Sequence, residues 1–123
     1  MLAATGGHAA DVPTVLVFGD SLSAGYGIDV DQSWAELLQA RLETQGYEHQ
    51  VVNASISGET TEGGAERIDA AIERFAPDVV VLELGGNDGL RGFPPARMRS
   101  NLETMITKSK AAGASVALLG IRI

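Results

Sequence analysis

Four short apolar runs punctuate this chain, and stretches with helical spacing separate them. Val15-Leu16-Val17-Phe18 is wholly apolar and ends at Gly19. Such a run suits a strand buried on both faces. Val51-Val52 makes a second run, Val79 to Leu84 a third and Ser115 to Ile121 a fourth. After the first run, Ser33-Trp34-Ala35-Glu36 is a capping-box pattern. It predicts a helix with Trp34, Leu37, Leu38 and Leu42 on its apolar face, stopped by Gly46. Thr60 or Thr61 caps the next helix, with Ala65, Ile68, Ile72 and Phe75 at helical spacing and Pro77 at its end. Pro94-Pro95 opens a third, with Met98, Leu102, Met105 and Ile106 on one face and Gly113 closing it. The order β-α-β-α-β-α-β implies right-handed crossovers, hence a parallel sheet with helices on both faces.

At 123 residues the body is one domain, with no internal repeat, low-complexity segment or linker. Nine Lys and Arg against sixteen Asp and Glu give a net charge of −7. That balance excludes the basic stripe of a nucleic-acid binder and any pull toward anionic headgroups. No apolar run approaches the roughly 18 residues of a transmembrane helix. With no cysteine and two histidines, neither a disulfide framework nor a metal site is expected. Residues 1–11, MLAATGGHAAD, are small and aperiodic and read as a poorly ordered arm. Gly7-His8-Ala9 before Ala10 also suits the stub of a secretory signal, which implies a periplasmic or secreted protein. An end added for expression fits the same residues. Residues 12–123 form the domain.

In an open parallel sheet, sites lie at the carboxyl ends of the strands. Three loops meet that condition: residues 19–27 after the first strand, 53–60 after the second and 85–89 after the third. All are rich in glycine and small polar residues. Ser21 stands where a turn begins, with an exposed hydroxyl able to attack a carbonyl. Gly58 lets its N–H approach a ligand closely. Asn87 offers an amide after two glycines. Two N–H groups and one amide make an oxyanion hole for a tetrahedral intermediate.

The stretch FGDSLSAGYG resembles block I of the SGNH (GDSL) hydrolases, NASISGETT their glycine block and ELGGNDGLRG their asparagine block. Order and spacing match from about Val15 to Ile123. The likeness is greatest to the bacterial thioesterase I, lysophospholipase and arylesterase group. It implies Ser21 as nucleophile, with the Ser21 N–H, the Gly58 N–H and the Asn87 side chain as oxyanion donors. It implies hydrolysis of small acyl esters or thioesters with no cofactor. The expected architecture is a flavodoxin-like three-layer α/β/α domain with strand order 2-1-3-4.

The family's fourth block, Asp-x-x-His, occurs nowhere in this sequence. The chain therefore reads as truncated, lacking the fifth strand, the last helices, and the general base with its orienting Asp. His8 and His49 precede strands, so each is expected about 17 Å from the Ser21 end, a five-residue strand away. Near-inactivity of the chain alone follows. An uncovered fourth strand is expected to self-associate through its edge.

Other residues read as structural. Asp20 supports its loop as an Asx-turn acceptor, and Asp88 caps or braces the third loop. Glu83, inside a strand, needs a partner and is not nominated as a base. Trp34 and the Met98–Met105 stripe are assigned to the core. Glu59, Glu62, Glu66 and Asp69 form a solvated helix start. Two rivals stand beside the enzyme reading. One is a shortened non-catalytic domain that binds an acyl or anionic ligand or assembles. The other, a nucleotide or flavin binder, is disfavoured because the first loop has no G-x-G-x-x-G or G-x-x-x-x-G-K-[ST].

Overall fold

A computed structural model describes residues 12–120. The readings of the arm and His8 lie outside the described residues, as does Ile121; the fourth strand is shorter than expected, ending at Leu118 with Leu119 and Gly120 beyond it. The elements are β1 (Thr14–Gly19), α1 (Ser21–Ala24), a short 3-10 turn (Val30–Gln32), α2 (Trp34–Thr44), β2 (Gln50–Asn53), α3 (Thr61–Phe75), β3 (Val79–Glu83), α4 (Gly86–Leu90), α5 (Pro95–Ala111) and β4 (Ser115–Leu118). The sheet order is β2-β1-β3-β4, the expected 2-1-3-4, and all pairs are parallel, as the alternation predicts of their direction. Helices cover both sides.

Side chains of β1 alternate between the two faces. Leu16 and Phe18 are fully buried in one cluster with Ile68 and Ala71 of α3, Met105 of α5, and Val80 and Leu82 of β3. Fully burying one such apolar side chain contributes about 1.5–3 kcal/mol. Val15, Val17 and Val81 are buried outside that cluster, on the face toward α2. Leu37 departs from the expected pattern, standing 56% exposed while Ala35 is buried. At 3.6 residues per turn a side chain two positions beyond the buried Ala35 points about 200° away. No helix among the described residues is long and apolar enough to cross a membrane.

The ends of the helices follow local chemistry. Ser33 caps α2 through the Glu36 N–H, and Thr60 caps α3 through the Gly63 N–H at 3.2 Å. Gly46, at φ +86°, turns the chain after α2, and the Tyr47 N–H returns to the Leu42 carbonyl at 2.9 Å.

Candidate active site

β1 and β3 run in register from Val15↔Val79 to Gly19↔Glu83, and Val17 faces Asn53 of β2. The loops that leave these strands therefore start at one rim. Ser21 is the first residue of α1 and is half-exposed. Asp20 caps that turn, its Oδ1 accepting the Leu22 N–H at 3.0 Å, which is the expected Asx role. Gly25, in the left-handed region at φ +81°, closes the turn.

Hydrogen bonds lace the three loops together. The Gly19 N–H donates to Ser55 Oγ at 3.0 Å, and the Ile56 N–H donates to the Gly19 carbonyl at 2.9 Å. Asn53 Nδ2 donates to the Ser23 carbonyl at 2.7 Å. These bonds join the first loop to the second. Asn87 Nδ2 donates to the Glu59 carbonyl at 3.0 Å, joining the second to the third. Asp88, fully buried, accepts the Thr61 N–H at 2.8 Å and the Thr61 hydroxyl at 2.6 Å. It thus braces α4 against the start of α3, as a capping residue of that loop should.

Three donors remain along this rim. Neither the Ser21 N–H nor the Gly58 N–H has an acceptor among the described residues. Gly58 is the third residue of a turn closed by the Glu59 N–H on the Ile56 carbonyl at 3.2 Å. Its φ of +85° favours glycine, and a Cβ there would meet nothing within 4 Å. Open space therefore lies on the side where a side chain would stand. Asn87 uses one amide hydrogen on Glu59 and keeps the other.

Glu59 departs from the solvated role expected of it. Its carboxylate is 11% exposed and pairs with Arg67 at 2.7 Å. The Arg67 guanidinium lies 4.2 Å over the Phe18 ring and also donates to the Ala54 carbonyl at 2.9 Å. Arg67 thereby clamps the second loop onto the core. Glu62 pairs with Arg97, and Asp69 with Lys108, at the surface.

His49 sits beside Gln50, which opposes Thr14, so it lies at the opposite end of the sheet from Ser21. It is half-buried rather than a free surface residue, edge-on to Tyr47 with centroids 5.9 Å apart. Its carbonyl accepts Gln39 Nε2 at 3.0 Å. Among the described residues, no three His, Asp or Glu side chains are grouped so as to hold a metal ion.

Trp34, assigned to the core, and Glu83, expected to need a partner, are joined near the rim. Trp34 Nε1 donates to Ser23 Oγ at 3.0 Å, and Ser23 Oγ donates to Glu83 Oε1 at 2.6 Å. Burial first, then the nearby Asp20 carboxyl, pushes the Glu83 pKa above its ordinary value. The sequence holds the signal for both: a carboxylate within an apolar strand and an indole N–H at a helix start each require a partner.

Fold and rim together define the class: an α/β/α domain with its polar loops at the carboxyl ends of parallel strands. The chain belongs to the GDSL-like lipase/acylhydrolase family, which matches residues 17–123. It is similar to the esterase TesA of Pseudomonas aeruginosa, 54% identical over 110 residues that cover 89% of this chain and 55% of that protein. It is also similar to thioesterase 1/protease 1/lysophospholipase L1 of Escherichia coli strain K12, 43% identical over 94% of this chain and 54% of that protein. The crystal structure of TesA superposes with a TM-score of 0.88 at 54% identity, over 89% of this chain and 61% of that one. The chain thus spans about half the length of the curated relatives it matches.

Proposed function

We propose that this chain carries the nucleophile and oxyanion donors of a serine hydrolase for acyl esters and thioesters. Ser21 Oγ attacks the acyl carbon, and the Ser21 N–H, the Gly58 N–H and the Asn87 amide stabilise the oxyanion. The acyl–oxygen or acyl–sulfur bond then breaks, and the alcohol or thiol leaves with a proton. Water attacks the acyl-serine and releases the acid. Asp20 and Asp88 hold the first and third loops. The observation that carries this reading is the hydrogen-bonded rim, with two N–H groups unpaired among the described residues and a half-exposed serine. Exposed Leu22, Ile56 and Leu90 beside it favour a substrate with an apolar acyl portion.

The attack also needs a group that takes the serine proton. His49 is about 17 Å away, the length of a five-residue strand. We assign the base of the full reaction to a residue other than His49, and without it the described residues turn esters over slowly. Loss of one triad member leaves about 10³–10⁴-fold catalysis over water in serine hydrolases.

Treatment with a fluorophosphonate, followed by peptide mass spectrometry, tests the site. A slow adduct is expected on Ser21, and none in Ser21→Ala. An adduct spread over Ser23, Ser55 and Ser57, or none at all, defeats the reading. Tight binding of fatty acid without any adduct favours the non-catalytic alternative. Ester turnover at ordinary enzyme rates, abolished in Ser21→Ala, overturns the slow-turnover part alone.

A second copy of the chain is the proposed partner of the free β4 edge. Leu118 is 51% and Leu119 38% exposed there. They flank an apolar groove of about 200 Å³ whose other walls include Leu84, Met98 and Leu102.

A further inference from the structure

Beneath the turn that carries Ser21 lies a group of side chains that neither the attack nor the oxyanion donors employ. Glu83, the last residue of β3, is 5% exposed and stands in register with Gly19. A carboxyl group at that depth is costly unless it is bonded. Its Oε1 accepts the Ser23 hydroxyl at 2.6 Å and faces the Asp20 N–H at 3.4 Å. Ser23 is fully buried and acts as a hub. Its Oγ accepts the Trp34 indole N–H, and its carbonyl accepts the Asn53 amide. An indole N–H can only donate, so the single hydroxyl proton of Ser23 is committed to Glu83.

The packing around this link is tight. A Cβ on Gly19 would stand 2.6 Å from Ser23 Oγ and 2.7 Å from Glu83 Oε1. Position 19 is therefore restricted to glycine by this cluster, although its backbone is ordinary strand. On either side of Ser21 the turn is held: Asp20 and Ser23 by Glu83, Leu22 by the Asp20 carboxylate. The Ser21 hydroxyl itself has no hydrogen bond among the described residues.

We propose that Glu83 is a positioning residue for Ser21, fixing the β1–α1 turn through Ser23 and the Asp20 N–H so that the serine faces the Gly58 and Asn87 donors. This rests on the reading of Ser21 as nucleophile. Displacing a reacting group by about 1 Å can slow a reaction by about 10²-fold. The buried Oε2, which has no partner among the described residues, marks where a neutral carboxyl would carry its proton.

The test uses the 123-residue chain and the variants Glu83→Gln, Glu83→Leu and Ser23→Ala, with two readouts. One is the rate at which a fluorophosphonate labels Ser21. The other is the emission of Trp34, the one tryptophan in the sequence and part of the same hydrogen-bonded chain. Glu83→Leu, folded by circular dichroism, is expected to label at least tenfold more slowly, with shifted Trp34 emission. Glu83→Gln keeps an oxygen for Ser23 and is expected to stay within about twofold of the unaltered chain. If Glu83→Leu does not fold, Ser23→Ala decides, with the same slowing expected. Shifted emission with an unchanged labelling rate in the folded variants overturns this inference and leaves Ser21 as nucleophile. Slowing in Glu83→Gln equal to that in Glu83→Leu also overturns it. Absence of any Ser21 label on the unaltered chain removes the nucleophile reading and this one with it.

Discussion

Asn87 is proposed to divide its amide between the fold and the reaction. One hydrogen secures the Glu59 carbonyl, and the other is proposed to meet the oxyanion. Loss of a single oxyanion donor in a serine hydrolase costs about 10²–10³ in rate. Asn87→Ala is therefore expected to slow acylation of Ser21 by a p-nitrophenyl ester by that factor. Its stability in urea should fall by only about 1 kcal/mol, the worth of an ordinary hydrogen bond. Glu83 titrates with consequences for stability. Its pKa is raised in the folded chain above the ordinary 4.5, chiefly by burial and then by Asp20. The folded state thus holds the proton more tightly than the unfolded one. That contribution is fully present below the unfolded pKa and is lost as pH rises through the folded value. Urea midpoints are expected to fall as pH climbs from 4.5 toward neutrality, and Glu83→Gln should remove that part of the slope. An unchanged slope in Glu83→Gln would assign the effect to other carboxylates.

Helix α3 shows how one element is fitted to its surroundings. Gly63 and Gly64 are adjacent, yet their environments differ. A Cβ on Gly64 would lie 2.7 Å from Leu84 Cδ1 and 3.0 Å from Met105 Sδ, inside the core. A Cβ on Gly63 would meet Glu59 Oε2 at 2.7 Å, the carboxylate oxygen that Arg67 does not hold, at the tip of a side chain rather than in the packed core. Either substitution gains up to about 1 kcal/mol of helix propensity. Overpacking a core costs about 1–3 kcal/mol. Gly64→Ala is thus expected to lower the unfolding free energy, and Gly63→Ala to be near neutral, as urea titration of both would show. Periodicity in the sequence reveals α3 and its cap at Thr60, but not which glycine faces the sheet. The same limit applies to α2, where four apolar positions mark the helix. Only packing shows that Ala35 faces in and Leu37 out.

At the scale of the molecule, the β4 edge is the exposed flank of the sheet. Its backbone groups on that side face no further strand among the described residues. A lysine on an edge strand discourages pairing with another chain. Light scattering coupled to size exclusion is expected to show association that increases with concentration. Leu118→Lys should shift the population toward monomer. A monomer at every concentration in the unaltered chain would remove the proposed partner.

Much of the architecture is legible in the order of residues. Buried parallel strands must be apolar on both faces, and their crossovers must be helical and right-handed. Alternation therefore suffices to give parallel strands, while their order follows from the flavodoxin-like architecture that the family resemblance implies; the strand-end loops single out Ser21, Gly58 and Asn87 as candidates. Asp20 and Asp88 were legible as well, because a short carboxylate beside a turn has few acceptor roles open to it. Long-range pairing was not. The roles of Glu59 with Arg67, and of Ser23 with Glu83 and Trp34, depend on atoms brought together from distant stretches of chain. Local sequence fixes which groups need partners, through the cost of burying them alone; tertiary packing decides which partners they receive.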